Sequence, residues 1–103
     1  MGRPRAQYER TFPLSREELV DLVLDAADLL GWQLQGQANN TISFSIPMSI
    51  WSWGEFCHVT VGEGPVRAVS QSRGVTLVDW GKNSRNLERF FNRLELTANS
   101  AAV

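Results

Sequence analysis

The feature that most constrains the fold is a run of alternating sequence between residues 32 and 73. Apolar or small side chains occupy every second position in four consecutive stretches, separated by short turn sequences. A period of two residues is typical of a strand with one buried and one exposed face. Connections of hairpin length force neighbouring strands to run antiparallel. The chain therefore predicts a four-stranded antiparallel meander with one face to bury.

The hairpin at the start of this run is clearly marked. Residues 32–37 and 41–46 alternate strictly, and the Asn-Asn pair at 39–40 between them tolerates the positive φ of a two-residue turn. Gly54 lies within the third predicted strand, at about 51–61, and indicates a bulge there. The fourth strand, 66–73, turns small side chains inward, which allows a helix to lie close to the sheet. Its inward set is Val66, Ala68, Ser70 and Ser72.

Helical patterns flank the meander on both sides. Ser15 and Glu18 have the spacing of a capping box that opens a first helix at about 15–30, and Gly31 is its stop signal. Asp79 or Asn83 is the predicted N-cap of a closing helix. That helix buries an apolar stripe. The stripe consists of Leu87, Phe90, Phe91 and Leu94.

A short strand before Pro13 completes the order β-α-β-β-β-β-α. We expect an α+β two-layer sandwich, with a mostly antiparallel five-stranded sheet and two helices on one face, because both helices and the sheet have one apolar side. A chain of 103 residues is long enough for one domain with a single core. We place that domain at 7–96, between flexible tails at 1–6 and 97–103.

Two motifs resemble those of a small family of uncharacterised bacterial proteins. They are Ser-Trp-Gly-Glu at 52–55 on a strand and Asp-Trp-Gly-Lys-Asn at 79–83 at a helix entry. The resemblance covers roughly residues 14–96 and implies a fold, but no activity and no catalytic residue. The element order is also similar to the β-α-β4-α arrangement of the TATA-binding-protein-like and helix-grip folds. Such an analogy implies no function.

The second motif is predicted to be structural in the first place. A short polar side chain at Asp79 or Asn83 satisfies a free helix amide, and Trp80 anchors the loop by burial. The functional alternative is a small anion site at the helix N-terminus, formed with Lys82 and the nearby Arg73 or Arg85. The carboxylate of Asp79 counts against this alternative.

The first motif brings two tryptophans to the same strand face. Trp51 and Trp53 are two residues apart, close to the predicted strand start. Packing at the core or its rim is the ordinary role of such residues. Exposed, they form the kind of apolar patch that marks a binding surface for a partner or ligand.

Candidate catalytic and metal-binding residues are scarce. The single cysteine, Cys57, and the single histidine, His58, are adjacent, and successive strand side chains point to opposite faces. They cannot share a proton, and one of each excludes the usual zinc sites. No phosphate-binding or dinucleotide-binding motif is present. We expect no enzyme activity and no cofactor.

Charge and hydropathy narrow the range of partners. The formal net charge of -1 lacks the broad positive field of nucleic-acid binders, so we expect no nucleic-acid partner. Acidic residues interrupt the most apolar segment well before the roughly 20 residues of a membrane span, so we expect no membrane association. One cysteine fits a reducing compartment, which predicts a cytoplasmic protein.

Two functional interpretations follow. The leading one is a small non-enzymatic interaction module that acts through contacts with an unknown protein partner or through self-association. It depends on the lack of catalytic motifs, the two tryptophans and an open edge of the meander. The alternative is a carrier of a small apolar ligand between the closing helix and the sheet, which needs a cavity of about 300 Å³ or more. Phe44, Phe90 and Phe91 are expected to fill that space instead.

Overall fold

The computed structural model describes residues 5–47, 54–72 and 82–101, which form a five-stranded sheet and two helices. The order is β-α-β-β-β-β-α, so the predicted α+β class and element order are confirmed. The strands are β1 (Arg5–Thr11), β2 (Gln33–Ala38), β3 (Thr41–Ile46), β4 (Glu55–Val61) and β5 (Pro65–Ser72). The helices are α1 (Arg16–Leu29) and α2 (Lys82–Ala101).

The sheet has the strand order β1-β5-β4-β3-β2, and every neighbouring pair is antiparallel. The four strands from β2 to β5 form the predicted meander. The first strand, whose neighbour the sequence left open, pairs with β5 and places Tyr8 opposite Ala68. Its exit is tied to the β4–β5 turn, since the Phe12 amide donates to the Gly64 carbonyl at 2.8 Å. The described sheet therefore has β1 and β2 as its two edges.

The core lies between one face of the sheet and the two helices. Helix α2 packs mainly on β1 and β5, α1 on β4, and the helices contact each other. The predicted inward set of β5 is confirmed: its first three members are fully buried, and Ser72 is partly buried. The larger core side chains include Leu19, Val23, Trp32, Ile42, Phe44, Val59, Val61, Leu87, Phe90, Phe91 and Leu94.

Helix α1 begins at the predicted capping box. Ser15 is its N-cap, with the Glu18 amide donating to the Ser15 hydroxyl at 3.2 Å. The Ser15 amide in turn donates to the Glu18 carboxylate at 3.3 Å. Both contacts satisfy amides that the first helical turn cannot pair internally, and they fix where the helix starts.

Helix α1 ends at Leu29, with Leu30 as its C-cap, and the next residue, Gly31, has a φ of 79°. The Gly31 amide donates to the Asp28 carbonyl at 3.0 Å, and the Trp32 amide donates to the Ala27 carbonyl at 2.9 Å. This pair of bonds is a Schellman motif, which needs a left-handed residue at the position of Gly31. The motif turns the chain so that Trp32 enters the core directly after the helix.

The bulge lies in a different strand from the one predicted. Gly54 has a φ of 94° but precedes β4, which keeps an unshifted register with both neighbours. The register shifts instead in β2, between Leu34 and Gly36. Leu34 lies opposite the inward-facing Phe44, whereas Gly36 lies opposite Ser43 on the other face. Strict alternation through Gly36 was therefore a wrong prediction.

Candidate functional site

The structure describes few of the residues predicted to form a binding site. Five of them lie outside the described residues, namely Trp51, Trp53, Arg73, Asp79 and Trp80. Lys82 is the first residue of α2 and Asn83 the second. Asn83 therefore lies inside the helix, and its predicted role as the N-cap is wrong.

The side chain of Asn83 is fully buried and is bonded to β5. Its carbonyl oxygen Oδ1 accepts a hydrogen bond of 2.7 Å from the Ser70 hydroxyl. Its amide nitrogen Nδ2 donates to the Ser72 hydroxyl at 3.1 Å. Helix α2 can approach β5 this closely because the inward residues of the strand are small. The contact fixes the first turn of α2 to the sheet.

A buried carboxylate extends this arrangement to β4. Glu55, the first residue of the strand, is only 2% exposed. Its Oε1 atom accepts a hydrogen bond of 2.8 Å from Nδ2 of Asn86, which also lies 3.4 Å from the Ser70 hydroxyl. We refer to Glu55, Ser70, Ser72, Asn83 and Asn86 as the polar cluster. It links three elements at one end of the sheet.

Sequence reasoning missed Glu55 and Asn86 as members of the polar cluster, although the pattern contained a signal. Glu55 precedes Cys57 by two residues and so belongs to the inward set of β4. Asn83 and Asn86 extend the apolar stripe of α2 backwards at helical spacing. Since β4 and β5 are antiparallel, Glu55 is opposite Ser72, and the polar members of all three inward sets meet.

The polar cluster is better suited to positioning α2 than to binding an anion. Its described hydrogen bonds run between its own side chains, and their donors and acceptors are buried or partly buried. The acidic side chain of Glu55 already lies at this end of the helix and accepts the amide hydrogen of Asn86. The earlier alternative of an anion site at residues 79–83 gains no support from Asn83.

The adjacent cysteine and histidine lie on opposite faces of β4, as expected. Cys57 is fully buried among the core residues, and this burial raises the pKa of its thiol from 9.0 to about 12. His58 is on the exposed face, where its Nδ1 atom lies 2.9 Å from the Ser43 hydroxyl. A thiol that stays protonated at neutral pH is a poor nucleophile and metal ligand.

Neither a group of metal ligands nor a membrane-spanning helix occurs among the described residues. Those residues contain no group of three or more His, Cys, Asp or Glu side chains that could hold a metal ion. Within 82–101 and the other described ranges, no helix is both long enough and apolar enough to cross a membrane.

The space between α2 and the sheet is filled by aromatic rings. Trp32 stacks on Phe90 with ring centroids 5.1 Å apart and also contacts Phe44 at 5.9 Å. Phe90 meets Phe91 edge to face at 5.5 Å, and Tyr8 lies 6.3 Å from Phe91. This row crosses the core from β3 to β1 and occupies the volume in which a helix-grip carrier would hold its ligand.

An open groove lies away from this row, where the end of β1 meets the last turns of α2. Its volume is about 340 Å³. Arg10 and Glu95, which both line it, form an ion pair, and the Arg10 guanidinium also lies 5.7 Å from the centre of the Phe91 ring. The groove is lined by Arg10, Thr11, Phe12, Pro13, Leu14, Glu95, Ala98 and Asn99.

The second strand, β2, is the most exposed strand of the described sheet. All six residues of Gln33–Ala38 are exposed. Among the strands that the structure describes, β3 is the sole neighbour of β2. The helices pack mainly on other strands, so Leu34 is 56% exposed although it is on the helix side of the sheet. This edge is a second candidate site, defined by free backbone groups rather than by a pocket.

The protein is thus an α+β sandwich with two candidate sites, the internal polar cluster and the exposed β2 edge. Comparison of the chain with models of protein families found no match, and a search of the curated proteins matched none. The resemblance of residues 52–55 and 79–83 to a bacterial family stays a prediction from the sequence.

Proposed function

We propose that this protein is a small non-enzymatic interaction module that binds other protein chains through the β2 edge. The observation that carries the proposal is the exposure of the whole of Gln33–Ala38 at an edge of the described sheet. An edge strand offers a row of backbone N–H and C=O groups, and an extended segment of a partner can pair with them.

The two edges of the described sheet differ in how well they are protected against pairing. Charged side chains are a common protection of edge strands. On β1 these are Arg5, Glu9 and Arg10, and Arg10 pairs with Glu95 of α2. Residues 33–38 contain no charged residue and no proline. The β2 edge therefore lacks two of the usual obstacles to strand addition, charged side chains and proline.

The non-enzymatic part of the proposal is supported by the state of the strongest nucleophile. The thiol of Cys57 is buried, with its pKa raised to about 12, and the side chain of His58 is on the other face of the strand. A Cys–His pair needs both groups within hydrogen-bond reach of each other. We further propose a cytoplasmic location, which a single buried thiol fits.

Trp51 and Trp53 are proposed as a second contact region of the same module. The charge substitutions Trp51→Glu and Trp53→Glu test this part. If both variants keep the fold, the assembly state and the recovery of partners unchanged, the tryptophans have no binding role.

The edge itself is tested by site-specific photo-crosslinking in producing cells. A photoreactive amino acid replaces Gln37 on β2 or, as the matched control, the exposed Gln7 on β1. We expect covalent adducts with protein chains from Gln37 and few from Gln7. Equal yields at both positions, or no adduct at Gln37, would contradict the proposal.

A second candidate function is a carrier of a small apolar ligand. The groove of about 340 Å³ favours it, because its volume is within the range of ligand pockets. The ring row occupies the space beneath α2, so the ligand would have to lie in the groove, beside the Arg10–Glu95 ion pair. Native mass spectrometry of gently purified protein tests this function. A bound mass of a few hundred daltons is expected for a carrier, and a clean apo mass contradicts it.

A further inference from the structure

We propose that the partner bound at the β2 edge is a second copy of this chain. The two β2 strands would run antiparallel about a two-fold axis normal to the sheet, joining both sheets into one. This inference rests on the proposed function and specifies its partner. It is argued from the charges, the side chains and the exposed apolar surface of the edge.

Charge is the first argument for a second copy. From Leu29 to Gly54 the sequence contains no Asp, Glu, Lys, Arg or His. A two-fold contact places a strand against the same strand, so any charge near the axis meets its own copy. Like charges opposite each other destabilise a strand pair. Every antiparallel register of Gln33–Ala38 with itself avoids such a contact.

The side chains of β2 can also bond to their own kind. Gln33, Gln35 and Gln37 are exposed. Each glutamine amide has both donors and an acceptor, so one glutamine can satisfy another. A charged partner strand would find no opposite charge between residues 29 and 54 to pair with. The edge is therefore complementary to itself.

Exposed apolar surface lies on the helix side of this edge. Leu34, which lies opposite the inward-facing Phe44, is 56% exposed. A two-fold axis normal to the sheet keeps the helix side of both copies on one side. Pairing would therefore bring the exposed Leu34 of each copy onto a common surface, where their apolar side chains can lose contact with water.

The bulge in β2 opposes this pairing and is expected to lower the affinity of the dimer. A bulge increases the local twist of a strand and is one of the protections of sheet edges. The register shift between Leu34 and Gly36 divides the edge into two short segments. We therefore expect a weak, concentration-dependent dimer.

Sedimentation velocity of the full chain tests the inference. Samples up to about 1 mM are needed, so that a weak dimer is also detected. We expect a monomer–dimer equilibrium for the wild type. In the double variant Leu34→Lys/Gln37→Lys, like charges on the helix side of both copies should raise the dissociation constant by about tenfold.

Two further samples distinguish a variant that has lost the dimer contact from one that has lost its fold. The matched control Gln7→Lys/Thr11→Lys adds the same charge to exposed positions of β1 and should dimerise like the wild type. An equimolar mixture of Leu34→Lys/Gln37→Lys with Leu34→Glu/Gln37→Glu should recover a heterodimer, because opposite charges then face each other. Circular dichroism of each variant reports whether the fold is intact.

Several outcomes would overturn the inference. These are a wild type that stays monomeric up to the highest concentration, a dimer disrupted by the β1 control instead, or no heterodimer from two folded β2 variants. A monomeric wild type whose Gln37 crosslinks to other proteins would overturn the second copy and keep the proposed function. Absence of any adduct at Gln37 would overturn both.

Discussion

The Nδ2 atom of Asn86 lies 2.8 Å from Oε1 of Glu55, and both side chains are buried. This hydrogen bond ties the second turn of α2 to the first residue of β4. Removing one partner of a buried hydrogen bond leaves the other without the contact it would make with water, so such a bond matters more for stability than one on the surface. The polar cluster is therefore expected to determine how α2 is placed on the sheet.

Replacement of Asn86 tests this role. Asn86→Ala removes a donor to the Glu55 carboxylate, and we expect it to lower the free energy of unfolding by about 1–3 kcal/mol. Asn92→Ala is the matched control, because Asn92 is exposed on the same helix. Its effect should stay within about 0.5 kcal/mol. Urea denaturation followed by circular dichroism measures both, and equal effects would show that the bond is unimportant for stability.

The end of α1 gives a second prediction. Gly31→Ala places a Cβ atom on a residue with a φ of 79°, and we expect a loss of about 1 kcal/mol. The space around the added atom is open, so the loss comes from the backbone alone. Gly36→Ala, also in open space but without a positive φ, is the control. Thermal unfolding should show a lower midpoint for Gly31→Ala only.

The aromatic row gives a third prediction. Phe90→Ala leaves a cavity beside Trp32 and Phe91, and we expect it to cost about 3–5 kcal/mol of stability. Phe56→Ala is the comparison, because Phe56 is on the exposed face of β4. Its truncation should cost about 1 kcal/mol. Chemical denaturation of the two variants measures both losses of stability. A small loss for Phe90→Ala would mean that the aromatic row is not tightly packed.

The buried thiol gives a prediction for pH. Its pKa is about 12 in the folded state, whereas an ordinary thiol ionises near 9.0, as expected in the unfolded chain. Between these values only the unfolded state loses the proton, so rising pH favours unfolding. The contribution of the protonated thiol to the free energy of unfolding is fully present below pH 9.0. Between pH 9.0 and about 12 the free energy of unfolding should fall by about 1.4 kcal/mol per pH unit.

The contribution of Cys57 is isolated by comparison with Cys57→Ala. Tyrosine and lysine side chains also titrate in this range, and they do so in both proteins. The wild type should therefore lose stability more steeply than the variant above pH 9.0. Parallel pH profiles in urea denaturation would mean that the thiol ionises equally in both states.

Most of the correct predictions from the sequence depended on residues that are close together in the chain. The capping box at Ser15 and Glu18 and the stop at Gly31 depend on residues within a few positions, and both occur where they were predicted. The alternating pattern also predicted the strands of the meander and, except in β2 after Leu34, their inward residues, since a strand with one buried face must repeat every two residues.

The sequence did not predict the features that depend on packing between distant parts of the chain. The neighbour of β1, the position of the bulge and the burial of Glu55 depend on elements far apart in the chain. The local sequence around Asn83 predicted a helix cap. In the structure, the small residues of β5 let the helix lie so close that the Asn83 side chain accepts a hydrogen bond from Ser70.

The sequence by itself thus determined the elements, their order and, apart from the second half of β2, the face that each one turns to the core, because these follow from local hydrogen bonding and periodicity. Only the tertiary structure decided which polar side chains meet inside and which edge is open. Both depend on where the two helices lie on the sheet: they pack mainly on β1, β4 and β5, and β2 stays exposed beyond them. Side chains distant in sequence meet only once that packing is formed, so the local pattern shows which face each one lies on but not which of them come together.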